Sequence, residues 1–157
     1  MEFNVGDFVF HRSDGLCKII SIEDRDGESF YKLETVSNFH DIIYCPINTD
    51  NHSFRKLMSK EEIKKLIEYV KTITTYTDAP TSKKRREKFK ELLYSNNPMK
   101  LGFLAKSISI FKKQREDKNQ TLSQEDRFIY KKVHHFLESE ISLVLNIKEE
   151  EVANLFN

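Results

Sequence analysis

The 157-residue sequence predicts a segregated α+β protein, a small β module followed by an all-α part. Three observations carry that expectation. Apolar residues alternate with period two up to about Ile47, aspartate and glycine punctuate those runs, and from Ser59 onward the apolar spacing lengthens to that of amphipathic helices. A chain of this length buries roughly 70% of its unfolded surface, enough for a real core in one domain or two small ones.

The first part contains four strand-like runs, Asp7 to Arg12, Leu16 to Arg25, Ser29 to Ser37 and His40 to Ile47, each with β-branched or aromatic residues. Ser13-Asp14-Gly15 separates the first two runs. Asp26-Gly27 separates the next pair and is a good hairpin signal, because both residues tolerate positive φ. Four short antiparallel strands cannot leave flat edges bare. A strongly curved, partly closed small β-barrel of the Tudor or SH3 type is therefore expected for residues 1–58.

Residues 59–157 read as a helical bundle. Ser59-Lys60-Glu61-Glu62 forms a capping box, and Ile63, Leu66, Ile67, Val70 and Ile73 make one face of a helix running to about Thr75. After the turn-rich stretch Tyr76 to Thr81, a second helix starts near Ser82 and buries Phe89, Leu92 and Leu93. Asn97 and Pro98 open a third, with Leu101, Leu104, Ala105, Ile108 and Phe111 inward. Ser123 caps a fourth helix carrying Ile129, Val133, Phe136, Leu137, Ile141 and Val144. Asn146 with Glu149 fits another capping box, opening a short fifth helix with Val152, Leu155 and Phe156. Single apolar stripes of this kind must pack on one another.

The motifs of catalysis are missing. Neither a phosphate-cradling nor a dinucleotide-binding glycine loop is present, and the nucleophile elbow G-x-S-x-G is absent too. The histidines His11, His40, His52, His134 and His135 form no HxH or HExxH pair, and His11, Cys17, His40 and Cys45 match no zinc-ligand spacing. Glu61-Glu62 and Glu149 to Glu151 fall in first helical turns, where they complement the helix dipole. The expectation is a protein that is not an enzyme and needs no metal or cofactor. Cys17 and Cys45 read as small buried hydrophobes in a reducing compartment. MEFNVGD lacks the basic and apolar regions of an export signal, and no apolar run approaches the roughly 18–20 residues of a membrane span. A cytoplasmic protein without a membrane partner is expected.

A net charge of +1 conceals strong segregation. Residues 71–115 hold 12 basic and 3 acidic side chains, a net of +9, whereas residues 1–59 and 116–157 each carry −4. Ser82-Lys83-Lys84-Arg85-Arg86-Glu87-Lys88-Phe89-Lys90 is the densest run, and Lys106, Lys112, Lys113 and Arg115 extend it onto the third helix. On a helix Lys84 and Lys88 share one stripe and Lys83 and Lys90 another, with Arg85 and Arg86 flanking the apolar side. Lys83, Lys84, Arg85, Arg86, Lys88, Lys90, Lys112 and Lys113 are the candidate DNA-binding residues. Four to six phosphate contacts give log K against log[salt] a slope near −4 to −5 and carry little base selectivity. Such a surface needs something else to deliver it to a particular place.

The order of parts supplies that. FNVGDFVF followed by G and IE, the third strand FYKLE, a fourth strand closing on Pro46, RKLMSKEE leading into helices, and the later LSQEDRFIYKKVHHFLESEISL together resemble the CarD/CdnL family of bacterial transcription regulators. The resemblance implies that residues 1–58 form a Tudor-like domain docking on the RNA polymerase β subunit. It also implies that residues 59–157 contact promoter DNA near the upstream edge of the transcription bubble, without sequence specificity. Arg25, in IEDRDGE, falls where the family places a basic residue against polymerase, and Tyr44 stands where a second basic contact is common. Docking of this kind would be β-augmentation, with backbone hydrogen bonds supplying affinity. The family usually carries a tryptophan wedge at the start of the basic helix; this chain has no Trp, and Thr81, Ser82 or Lys83 takes that place.

VGDFVF followed by G also resembles the opening of a KOW-type barrel, so an RNA-binding or ribosome-associated protein is the alternative, and a pure protein-binding adaptor is a third reading. Recovery of polymerase subunits rather than ribosomal proteins or RNA separates the first two.

Overall fold

The computed structural model describes residues 3–37, 39–48, 53–76 and 81–156. Contacts divide the chain into two compact units, residues 1–57 and 58–157. The architecture is β then α, as the sequence predicts.

The first unit holds five strands, β1 (Phe8–His11), β2 (Gly15–Arg25), β3 (Glu28–Thr35), β4 (Ile42–Pro46) and β5 (Phe54–Lys56), antiparallel throughout in the order β4-β3-β2-β1-β5. Asp26 and Gly27, at φ 52° and 84°, make the tight β2–β3 turn that their residue types favour. β5 is an addition to the four expected strands. Three residues are too short to show a period, and Phe54 reveals itself only by pairing opposite His11.

Curvature is set by a register shift in β2 between Ile19 and Ser21, where an extra residue bends the strand. Its result is visible in the core. Tyr31 of β3 and Phe54 of β5 stand three positions apart in the sheet, roughly 14 Å if it were flat, yet their ring centroids are 5.7 Å apart, edge to face. Phe3 completes the cluster at 4.8 Å from Phe54 and 6.0 Å from Tyr31. Val9, Cys17, Ile19, Leu33 and Cys45 fill the remainder of this small rolled core.

The second unit contains α1 (Lys60–Lys71), α2 (Ser82–Leu93), α3 (Pro98–Asp117), α4 (Gln124–Leu145) and α5 (Glu149–Leu155). Ser59 and Glu62 form the reciprocal capping box, Asn97 Oδ1 accepts from Met99 N and Lys100 N ahead of Pro98, and Ser123 Oγ accepts from Asp126 N. Two boundaries differ from expectation. α1 closes at Thr72, whose hydroxyl donates to Tyr69 O, so Ile73 lies beyond it. The second capping box does not form: Asn146 adopts the left-handed conformation (φ 55°, ψ 50°) that ends α4, and Lys148 precedes α5 without a side-chain cap. Asparagine serves both ends of helices, and the C-terminal role prevailed here because it tolerates positive φ.

The core of this unit joins Ile63, Leu66 and Val70 of α1 to Phe89 and Leu93 of α2, Leu104 and Ile108 of α3, and Ile129, Val133 and Ile141 of α4. Gly102 lets α3 approach α1: a Cβ there would lie 2.5 Å from Leu66 Cδ1. Glu140, fully buried on α4, accepts from Met58 N at 2.7 Å and secures the segment leading into α1. Of the expectations above, His52 and the interior of the turn-rich stretch, residues 77–80, lie outside the described residues.

Candidate functional site

In the first unit, β4 ends the sheet order. Thr35 N donates to Asp41 O and Ile47 N to Ser29 O, both at 2.9 Å, and the register pairs Tyr31 with Cys45 and Leu33 with Ile43. The backbone groups of Ile43 and Cys45 therefore point into the sheet, and by alternation those of Ile42 and Tyr44 point away from it. Among the described residues nothing pairs with that outer side. The side chains of Ile42 and Tyr44 are exposed beside it.

Arg25, at the far end of β2, reaches across the sheet so that its guanidinium carbon stands 4.2 Å from the centroid of the Tyr44 ring. Lys32 Nζ approaches the same ring at 5.9 Å and Glu23 at 3.9 Å. Stacking of this kind contributes about 0.5–1 kcal/mol at an exposed site and, more usefully, orients the guanidinium with its donors free. The two residues singled out from the sequence thus meet on the open edge.

In the second unit, Thr81 caps α2, its Oγ1 accepting from Lys84 N at 3.1 Å. α1, α4 and α5 carry acids in their first turns, as the helix dipole favours, while α2 has none and begins Ser82-Lys83-Lys84-Arg85. Cations there cost about 0.3–1 kcal/mol each. The eight candidate DNA-binding residues divide. Lys83, Lys84, Lys88 and Lys90 are exposed, and Lys84 makes a long 3.9 Å contact to Glu87. Arg85, one turn before Phe89, points inward to Asp126, with its guanidinium 4.4 Å over the Phe111 ring. Arg86 Nε forms an ion pair with Glu125 Oε2 at 2.9 Å. Lys112 donates to Glu116 at 2.6 Å, and that hydrogen bond raises its pKa. Lys113 lies with Lys106, Ile110 and Phe156 along a separate groove.

Sequence reasoning passed over Phe128 and Tyr94, which are exposed beside Lys132. A signal existed: Phe128 is one residue, or 100°, off the apolar stripe that begins at Ile129. Among the described residues no group of three or more His, Cys, Asp or Glu is placed to hold a metal ion. Cys17 donates its S–H to Gly15 O, and burial pushes its thiol up to about 12; His40 faces Glu34 at 3.0 Å. No described helix is long and apolar enough to cross a membrane.

Residues 3–58 match the family model of the CarD-like/TRCF RID domain, and residues 65–157 match that of the CarD C-terminal domain. The chain belongs to the CarD family. Comparison with curated proteins finds no match. Membership makes this CarD-family chain a transcription-related regulator that interacts with RNA polymerase, in a family that is generally non-enzymatic. The first family model covers the rolled sheet with its open β4 edge, and the second covers the basic helix α2.

Proposed function

We propose that this CarD-family protein docks on the RNA polymerase β subunit through the open edge of β4 and lays α2 against promoter DNA near the upstream edge of the bubble, modulating initiation. The observation that carries the proposal is the Arg25–Tyr44 stack beside the β4 edge, which nothing pairs among the described residues. An incoming strand would pair with the backbone of Ile42 and Tyr44, while Arg25 selects an acidic neighbour. Residues 1–58 are then the polymerase-binding domain and residues 59–157 the DNA-contacting one.

Phosphate contact falls to the exposed Lys83, Lys84, Lys88 and Lys90; Lys83 and Lys84 lie in the first turn of α2, where a cation costs stability, and an anionic partner accounts for them. With Arg85 and Arg86 engaged internally, four contacts give a salt slope of about −3.6 and a loss of roughly 150-fold in affinity between 50 and 200 mM salt. Binding is weak and indifferent to sequence. Docking makes that sufficient, because it turns the DNA contact into an intramolecular one at roughly millimolar effective concentration. The protein acts by binding, in the cytoplasm, without catalysis of its own.

Copurification of the full chain with RNA polymerase tests this, repeated with Arg25→Glu. Polymerase subunits recovered with the native chain and lost with the variant are the expected result. Ribosomal proteins or RNA recovered in their place would sink it and favour the KOW-like alternative.

A further inference from the structure

The groove between α2 and α4 carries aromatic rings that phosphate contact leaves unused. Phe128 is 55% exposed and Tyr94 38% exposed, and together with Lys90, Leu93 and Ile129 they line a cavity of about 520 Å³. That volume falls in the range of small-ligand sites, roughly 300–1,000 Å³. Lys132 Nζ lies 5.2 Å from the Tyr94 ring centroid and 5.4 Å from that of Phe128, and Lys90 stands at the wall on the exposed side of α2. The acid lining the same groove, Glu125, is paired with Arg86. The groove thus combines part-exposed aromatic rings, each with Lys132 over one face, with two cations, Lys90 and Lys132, that form no ion pair among the described residues.

We propose that this groove holds an unpaired nucleobase of a DNA single strand, stacked on Phe128 and Tyr94, with Lys90 and Lys132 contacting the flanking phosphates. The inference rests on the reading of α2 as DNA-facing and names the form of DNA that its α4 side takes. Aromatic platforms within a cationic groove are the general means of binding single strands, since every base has a π face. In a duplex those faces are covered by neighbouring pairs, so rings set in a recess receive only a base that has left the stack. Charge complementarity favours a nucleic acid strand over an apolar peptide, which would leave both lysines without a partner.

Because the sequence has no tryptophan, Phe128→Trp creates a single indole reporter at the groove. Adding a thymidine oligonucleotide of about twelve residues at low salt should quench it. Phe128→Ala should weaken single-strand binding by about 5- to 100-fold and leave duplex binding within about twofold; a Lys83→Glu/Lys84→Glu variant should weaken both. Oligonucleotide binding without quenching, or equal losses on single strand and duplex, would overturn the inference. Duplex binding with no single-strand binding would overturn it too and leave the phosphate-contact reading standing, whereas absence of both would remove that reading as well. Loss of polymerase association from Phe128→Ala, with DNA binding intact, would assign the groove to a protein.

Discussion

Arg85 Nη2 donates to Asp126 Oδ2 at 2.9 Å, with the two side chains only 14% and 2% exposed, so the central arginine of the basic run is an internal brace between α2 and α4. Its Nε and Asp126 Oδ1 find no hydrogen-bond partner among the described residues, and Ser123 Oγ donates to the same Oδ2 at 2.9 Å. Breaking a buried pair by removing one member leaves the other charge stranded, typically at about 3–5 kcal/mol. Asp126→Ala should therefore destabilise the helical unit by about 3 kcal/mol in urea unfolding.

The same division separates Arg85 from its lysine neighbours in DNA binding. Lys88→Ala should make the slope of log K against log[salt] shallower by about 0.9 with unfolding little changed. Arg85→Ala should do the reverse, lowering stability while leaving the slope within error. Filter or anisotropy titrations at several salt concentrations read both.

Gly102 marks a close approach of α3 to α1. Its replacement by alanine gains up to about 1 kcal/mol of helix propensity but sets a methyl 2.5 Å from Leu66 Cδ1 and 3.1 Å from Val70 Cγ2. Overpacking of this kind costs about 1–3 kcal/mol. Gly102→Ala should be net destabilising by about 1 kcal/mol in denaturant titration, and Leu66→Val in the same chain should recover part of the loss.

His134 sits against Tyr130, with ring centroids 4.4 Å apart, and shares a 3.1 Å hydrogen bond with Ser109 Oγ. Burial holds its imidazole below the ordinary value of 6.5. The unfolded chain therefore takes up the proton first as pH falls, so this contribution is complete above about pH 6.5 and declines below it. His11, also lowered chiefly by burial, acts in the same direction. Denaturant midpoints should drop between pH 7.5 and 5.5, and His134→Gln should flatten part of that drop.

At the start of α2 the residue types leave no ring to wedge between base pairs, and Thr81 is occupied as the cap. Ser82, exposed at the first helical position, is free to change. Ser82→Trp should lengthen the lifetime of open promoter complexes relative to the native chain without loss of the cap, measured by competitor challenge. An unchanged lifetime would show that an aromatic residue at this position is not what limits opening.

Local chemistry was legible wherever neighbours in sequence settle the structure. The Asp26-Gly27 turn, the Ser59 capping box, the Asn97-Pro98 start and the inward stripes of α2, α3 and α4 all follow from contacts within a few residues. β5 escaped because three residues show no period, and the role of Asn146 escaped because asparagine suits either end of a helix. The candidate surfaces were half legible: charge density pointed to α2, but Arg85 and Phe128 carry roles opposite to their residue types, a cation turned inward and an aromatic turned outward.

What the sequence alone determined is the order of a β unit and an α unit and the concentration of positive charge in one helix, because propensity, period and charge are properties of neighbouring residues. Which cations remain available, that Arg25 and Tyr44 meet on an open strand edge, and that Phe128 and Tyr94 share a groove with Lys132 were decided only by tertiary structure. The pairs Arg25–Tyr44, Tyr94–Phe128 and Arg85–Asp126 lie 19, 34 and 41 positions apart, and a side chain's partner across such a gap is set by how strands and helices pack.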